Sequence, residues 1–163
     1  MNKTFKNKSI LVTGACGTVG SELVKQLLTS DNYSPKELIG LDNNESELFF
    51  LDQHYLDDSR ASFYVTDIRD KDELINKMTG VDIIFHAAAL KHVDRCELYP
   101  AEAFSVNVLG TQNIVKSAIE QNVKRVISIS TDKAVNPIGV MGATKLLGEK
   151  ALMSINPKNS III

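Results

Sequence analysis

A chain of 163 residues has the length of one domain with a single buried core. With 44% hydrophobic residues, 23% charged residues and a net charge of −2, it has an ordinary globular composition and offers no basic surface for nucleic acid or anionic lipid. Its 2 cysteines, Cys16 and Cys96, form no metal or disulfide spacing motif, and no apolar run suits a signal peptide or membrane span, so the expectation is a cytoplasmic protein with neither metal nor membrane segment.

In chain order, Ser9–Thr13 is a short apolar run stopped by glycine, which predicts a strand buried on both faces. Thr18–Ser30 follows with Val19, Leu23, Gln26 and Leu27 at helical spacing. Glu37–Leu41 is a second strand ending at Asp42, and Glu45–Leu56 is again helical through Leu48, Phe49, Leu51 and Leu56. Ser62–Thr66 reads as the third strand, Asp72–Met78 as a short helix and Val81–Phe85 as the fourth strand. Pro100 opens a long helix to about Gln121, since proline's missing N–H costs nothing in a first turn. Arg125–Ser130 is the fifth strand, Ala143–Met153 a helix, and Asn159–Ile163 the opening of a sixth strand. Strand and helix alternating at these spacings give right-handed βαβ crossovers. The expectation is an α/β, Rossmann-type, doubly wound parallel sheet of order 3-2-1-4-5, with residues 1–163 forming one nucleotide-binding domain. The apolar Ile161-Ile162-Ile163 end suggests a protein cut before a substrate domain.

Between the first strand and first helix lies Thr13-Gly14-Ala15-Cys16-Gly17-Thr18-Val19-Gly20. Gly14 suits a tight turn, Gly17 a backbone approaching pyrophosphate, and Gly20 close helix–strand packing, while N–H groups at the helix start attract phosphate. Asp42 stands at the strand end about 20 residues on, where the dinucleotide fingerprint places an acid. A carboxylate there accepts from ribose hydroxyls and repels a 2′-phosphate. Asn43 and Asn44 follow without arginine or lysine, which favours NAD over NADP, although an aspartate capping a helix fits the same position. Asp67-Ile68 and His86-Ala87-Ala88-Ala89 end the third and fourth strands on the same ligand-binding edge. The alanines leave room for a cofactor or, equally, for tight packing. Cys16 reads as a packing residue and His86 as a strand-end histidine with its hydrogen bonds met.

The Thr-Gly-x-x-Gly-x-x-Gly spacing resembles the extended short-chain dehydrogenase/reductases. His86–Val93, Ser130–Pro137 and Met141–Lys145 together are similar to the UDP-N-acetylglucosamine 4,6-dehydratases of bacterial polysaccharide and glycan synthesis. The resemblance implies oxidation of a UDP-sugar at C4 by bound NAD(P), loss of water across C5 and C6, and return of the hydride to C6. It implies that Thr131 bonds the C4 oxygen, Asp132 and Lys133 act as acid and base, and Lys145 holds the nicotinamide ribose. Lys91 and Asn107 join the cofactor set on the same ground, and the helices Pro100–Gln121 and Ala143–Met153 would form a homo-oligomer interface. Acid and base roles require Asp132 and Lys133 each to hold its less usual protonation state, so burial and their mutual influence are expected to shift both. Read without the resemblance, Asp132-Lys133 also fits a solvated loop pair, Lys145 an exposed helix lysine and Met141 core filler. The family's usual tyrosine, four residues before its lysine, is replaced here by Met141, which has no titratable proton. Some dehydratases related to a membrane-bound subgroup share that methionine, which implies retention at C5 and another base at C4; a non-catalytic dinucleotide sensor, an epimerase or a simple dehydrogenase are the other readings.

Overall fold

The computed structural model describes residues 5–155 and 161–162. Strands β1 (Ser9–Thr13), β2 (Glu37–Asp42), β3 (Ala61–Val65), β4 (Ile83–His86), β5 (Arg125–Ser128) and β6 (Ile161–Ile162) form one sheet of order β3-β2-β1-β4-β5-β6. Every pairing is parallel, as the βαβ alternation requires. Helices α1 (Thr18–Thr29), α2 (Glu45–His54) and α3 (Lys71–Lys77) connect the first strands. α4 (Val93–Leu98), α5 (Pro100–Phe104) and α6 (Thr111–Glu120) follow β4, and α7 (Val140–Ile155) follows β5.

Side chains alternate across β1 and divide the core in two. Ile10 and Val12 meet Val24, Leu27 and Leu28 of α1 on one face. Leu11 joins Ile84 and Val126 against Leu74 of α3 and Ile114 of α6 on the other. Because both faces are covered, β1 and β4 are buried throughout and read as continuous apolar runs. No helix among the described residues is long and apolar enough to cross a membrane.

The expected Pro100–Gln121 helix is not regular. α5 passes into a wider π-helical turn, Ser105–Gly110, before α6 begins. Two tertiary constraints sit on that turn: a Cβ on Gly110 would lie 2.6 Å from Ile68 Cδ1, and the Asn107 carboxamide is tied to neighbouring elements. α4 is not among the expected elements, and α7 starts earlier than Ala143, so that Met141 lies within its first turn. The sixth strand is present at Ile161–Ile162, paired with Val126 and Ile127; the rest of the expected Asn159–Ile163 segment lies outside the described residues.

Candidate cofactor and active site

The carboxyl ends of β1, β2, β3 and β4 open on a cleft of about 490 Å3. Gly14 turns the chain out of β1 with φ of +69°, a conformation few side chains tolerate. A Cβ on Gly20 would overlap the Gly14 carbonyl oxygen, so α1 can lie this close to the loop only with glycine there. Cys16, Gly17, Thr18 and Val19 complete this wall. α1 has Gly17 at its N-cap position and so no side-chain cap, whereas Asn44 caps α2 and Asp70 caps α3. The open end of α1 therefore presents first-turn N–H groups and the positive end of the helix dipole to the cleft.

Asp42 crosses the mouth of that loop. Its Oδ2 accepts from the Cys16 N–H and its Oδ1 from the Asn44 N–H, both at 3.0 Å. Held from both sides, the carboxylate lines the cleft with Asn43 beside it. Burial, then the charges of Asp42 and Glu47, push the Cys16 thiol up to about 12, which keeps it an unreactive thiol. Asp67 and Ile68 line the cleft after β3, and Ala87, Ala88, Ala89 and Lys91 after β4. Arg69 grips the Asp67 carboxylate, holding it below the usual range, and also reaches Glu102 at 2.8 Å. Lys91 Nζ lies 3.5 Å from Thr18 Oγ1, spanning from the β4 loop to the start of α1.

A second cleft of about 320 Å3 shares Val19, Ala87, Ala89, Leu90 and Lys91 with the first. Thr131, Lys133, Met141 and Lys145 line it, so most of the expected catalytic set converges there. Met141 and Lys145 are one helical turn apart on α7 and share a face. Lys145 Nζ donates to the Ile129 carbonyl at 2.8 Å, and burial holds its pKa below the ordinary lysine value.

Two expectations are corrected. Neither Asp132 nor Lys133 is buried: their side chains are 89% and 57% exposed, in a short 3-10 turn (Asp132–Ala134). The Asp132 carboxyl is held below the usual range, first by the Thr131 hydroxyl and then by the Lys133 charge, the opposite direction from that of a general acid. Asn107 does not face the cofactor cleft. It is buried in the π-helical turn, where Oδ1 accepts from Leu90 N–H at 2.9 Å and Nδ2 donates to Leu90 O and Thr144 Oγ1, each at 3.0 Å. The structure makes it a support for the β4 loop. Sequence reasoning also missed Glu47, Glu102 and Leu90, which line the first cleft. Glu47 was findable, since it falls in the first turn of a helix beginning just after the fingerprint acid.

Glycine-framed N–H donors and a fixed carboxylate about one strand away suit a dinucleotide's diphosphate and ribose, so these residues fit such a group.

Comparison with known proteins places the chain in a family. Residues 10–162 match the family described as polysaccharide biosynthesis protein. An uncharacterised membrane protein of Methanocaldococcus jannaschii is 50% identical over 93% of this chain and 44% of its own length. UDP-N-acetylglucosamine 4,6-dehydratase (inverting) of Campylobacter jejuni is 38% identical over 93% of this chain and 45% of its own. UDP-glucose 4-epimerase of Rickettsia felis is 40% identical over 90% and 43%. Among solved structures, Pen of Bacillus thuringiensis superposes with a TM-score of 0.88 at 36% identity, covering 93% of this chain and 46% of that one. A double mutant of dTDP-glucose 4,6-dehydratase from Streptomyces venezuelae, crystallised with NAD, superposes at 0.84 with 29% identity, covering 93% and 52%. The chain spans about half the length of these relatives. It belongs to the polysaccharide biosynthesis protein family.

Proposed function

We propose that this chain is the NAD-binding domain of a sugar-nucleotide 4,6-dehydratase, a lyase that converts UDP-N-acetylglucosamine to its 4-keto-6-deoxy product. The observation that carries the reading is the meeting of Thr131, Lys133, Met141 and Lys145 in a cleft sharing one wall with the glycine-loop cleft. Asp42 would hold the adenosine ribose, the open end of α1 the diphosphate, and Lys145 the nicotinamide ribose. Bound NAD would supply a site that accepts and later returns a hydride. Thr131 would bond the sugar's C4 oxygen, while Asp132 and Lys133 serve the elimination as acid and base.

Met141 offers no proton acceptor, so the base at C4 falls to Asp132, Lys133 or a water. In the open loop Asp132 is ionised, and its acid role requires substrate to exclude water from it, which raises a carboxyl pKa. The methionine favours retention at C5, a point on which the Campylobacter relative, named as inverting, differs. Exposed Phe104, Leu109, Leu147 and Met153 on the helices after β4 and β5 support a homo-oligomer, which sedimentation would show as a species heavier than one chain.

The test uses a polypeptide that joins this domain to a substrate-binding part. UDP-N-acetylglucosamine should lose the mass of one water without added NADH, and Asp132→Asn and Lys133→Met should each abolish that loss. Unchanged mass with inverted C4 would establish the second reading, an epimerase, which the Rickettsia relatives favour. Unchanged substrate alongside intact NAD binding would leave a dinucleotide sensor.

A further inference from the structure

A chain of hydrogen bonds, buried along its middle, runs from the floor of the first cleft, through the core, and back to the same floor. Thr111 Oγ1 donates its proton to the Asn107 carbonyl at 2.7 Å. That hydroxyl has no second proton, so its 3.1 Å contact with His86 Nε2 must be an imidazole N–H donating to oxygen. His86 is buried, and its other nitrogen, Nδ1, lies 2.7 Å from Thr13 Oγ1. With Nδ1 bare, the Thr13 hydroxyl donates to it and accepts the Ala88 N–H at 3.3 Å. Asn107 completes the circuit by taking both backbone groups of Leu90. Every donor then has an acceptor. In the other tautomer, Nδ1–H and Ala88 N–H would both point at Thr13 Oγ1, and Nε2 could be satisfied only by taking the Thr111 proton from Asn107.

We propose that His86, fixed as the neutral Nε2–H tautomer between Thr13 and Thr111, is a positioning residue that holds the Ala87–Leu90 floor in the shape that receives NAD. The ligand in this statement rests on the NAD reading above; the tautomer does not. The ring touches neither cleft and acts through the two backbone segments it ties down. The charged group facing it is Lys145 of α7, which works with burial against a second proton on the ring; β1 and α6 present the Thr13 and Thr111 hydroxyls.

Long-range proton–nitrogen NMR on the unliganded chain tests the tautomer. One Nε2–H form, unchanged between about pH 5 and 8, is expected; an Nδ1–H form, or a ring that titrates in this range, would overturn the proposal. Calorimetric NAD titrations test the positioning. His86→Gln, whose amide can accept from Thr13 and donate to Thr111, should bind within about threefold of wild type, and His86→Leu at least ~10-fold more weakly. Equal binding by a folded His86→Leu variant would sink the idea. Should that variant not fold, Thr111→Val decides the matter: it should mix the tautomers and speed amide exchange at Ala88 and Leu90, and unaltered exchange contradicts the proposal. If wild type binds no NAD, the cofactor reading fails, while the tautomer and exchange measurements still decide whether His86 holds the floor.

Discussion

Asp42 shows how a single side chain is prepared before any ligand arrives. Its oxygens are each anchored by one backbone N–H, so little side-chain freedom remains to be lost when it accepts further hydrogen bonds. Hydrogen bonds to charged groups contribute about 1.5–3 kcal/mol, so Asp42→Ala should weaken NAD binding by roughly 10- to 150-fold in calorimetry. It should also narrow the preference over NADP by removing the repelling charge. This position was legible in the sequence because strand ends of parallel sheets share one edge, and a polar residue that stops an apolar run marks that edge. The state of Asp132 was not. Its burial depends on what covers the loop after β5, a tertiary fact with no local signature, and the loop proved open to water.

The start of α1 differs from those of its neighbours. α2 and α3 close their first turns with Asn44 and Asp70, while α1 leaves the same groups to the cleft. Asp70→Ala should therefore cost about 1 kcal/mol of stability in urea denaturation and leave NAD affinity unchanged, because that cap serves only its helix. The π-helical turn should be less forgiving. Gly110→Val drives a side chain into Ile68, and overpacking of this kind costs about 1–3 kcal/mol, read as a lower urea midpoint. The strands were visible as buried apolar runs, since a sheet covered on both faces leaves no polar positions to blur them. The π-helical turn was invisible: Ser105–Gly110 has an ordinary helical composition, and what sits on it is Ile68, Leu90 and Thr144, all distant in sequence. α7 begins before the expected Ala143, and Gly142 in its first turn is a packing residue: a side chain there would overlap the Lys133 carbonyl.

For the whole molecule, the buried imidazole leaves a mark on stability against pH. Burial, aided by the Lys145 charge, takes His86 down to about 3 in the folded chain. The unfolded chain takes up that proton near the ordinary imidazole value of about 6.5, so the contribution is complete above that pH and is lost as pH falls from there toward 3. Wild type should lose stability between about pH 6 and 4.5 with a slope of up to ~1.4 kcal/mol per pH unit, and His86→Gln should flatten that limb. Asp58, Asp67 and Asp82, held low by Arg60, Arg69 and Lys124, add their losses only further into the acid range, below the ordinary carboxylate value. A wild-type curve level between pH 6 and 4.5 would contradict a neutral buried ring.

On the proposed reading, strand ends, glycine turn and open helix act together as a single receptor for a dinucleotide. Calorimetric titration of the chain with NAD and, separately, NADP tests this most directly. Saturable binding of NAD at one site per chain, with NADP weaker by at least about tenfold, is the expected result. Absence of NAD binding by folded protein, or equal affinity for the two, would contradict it.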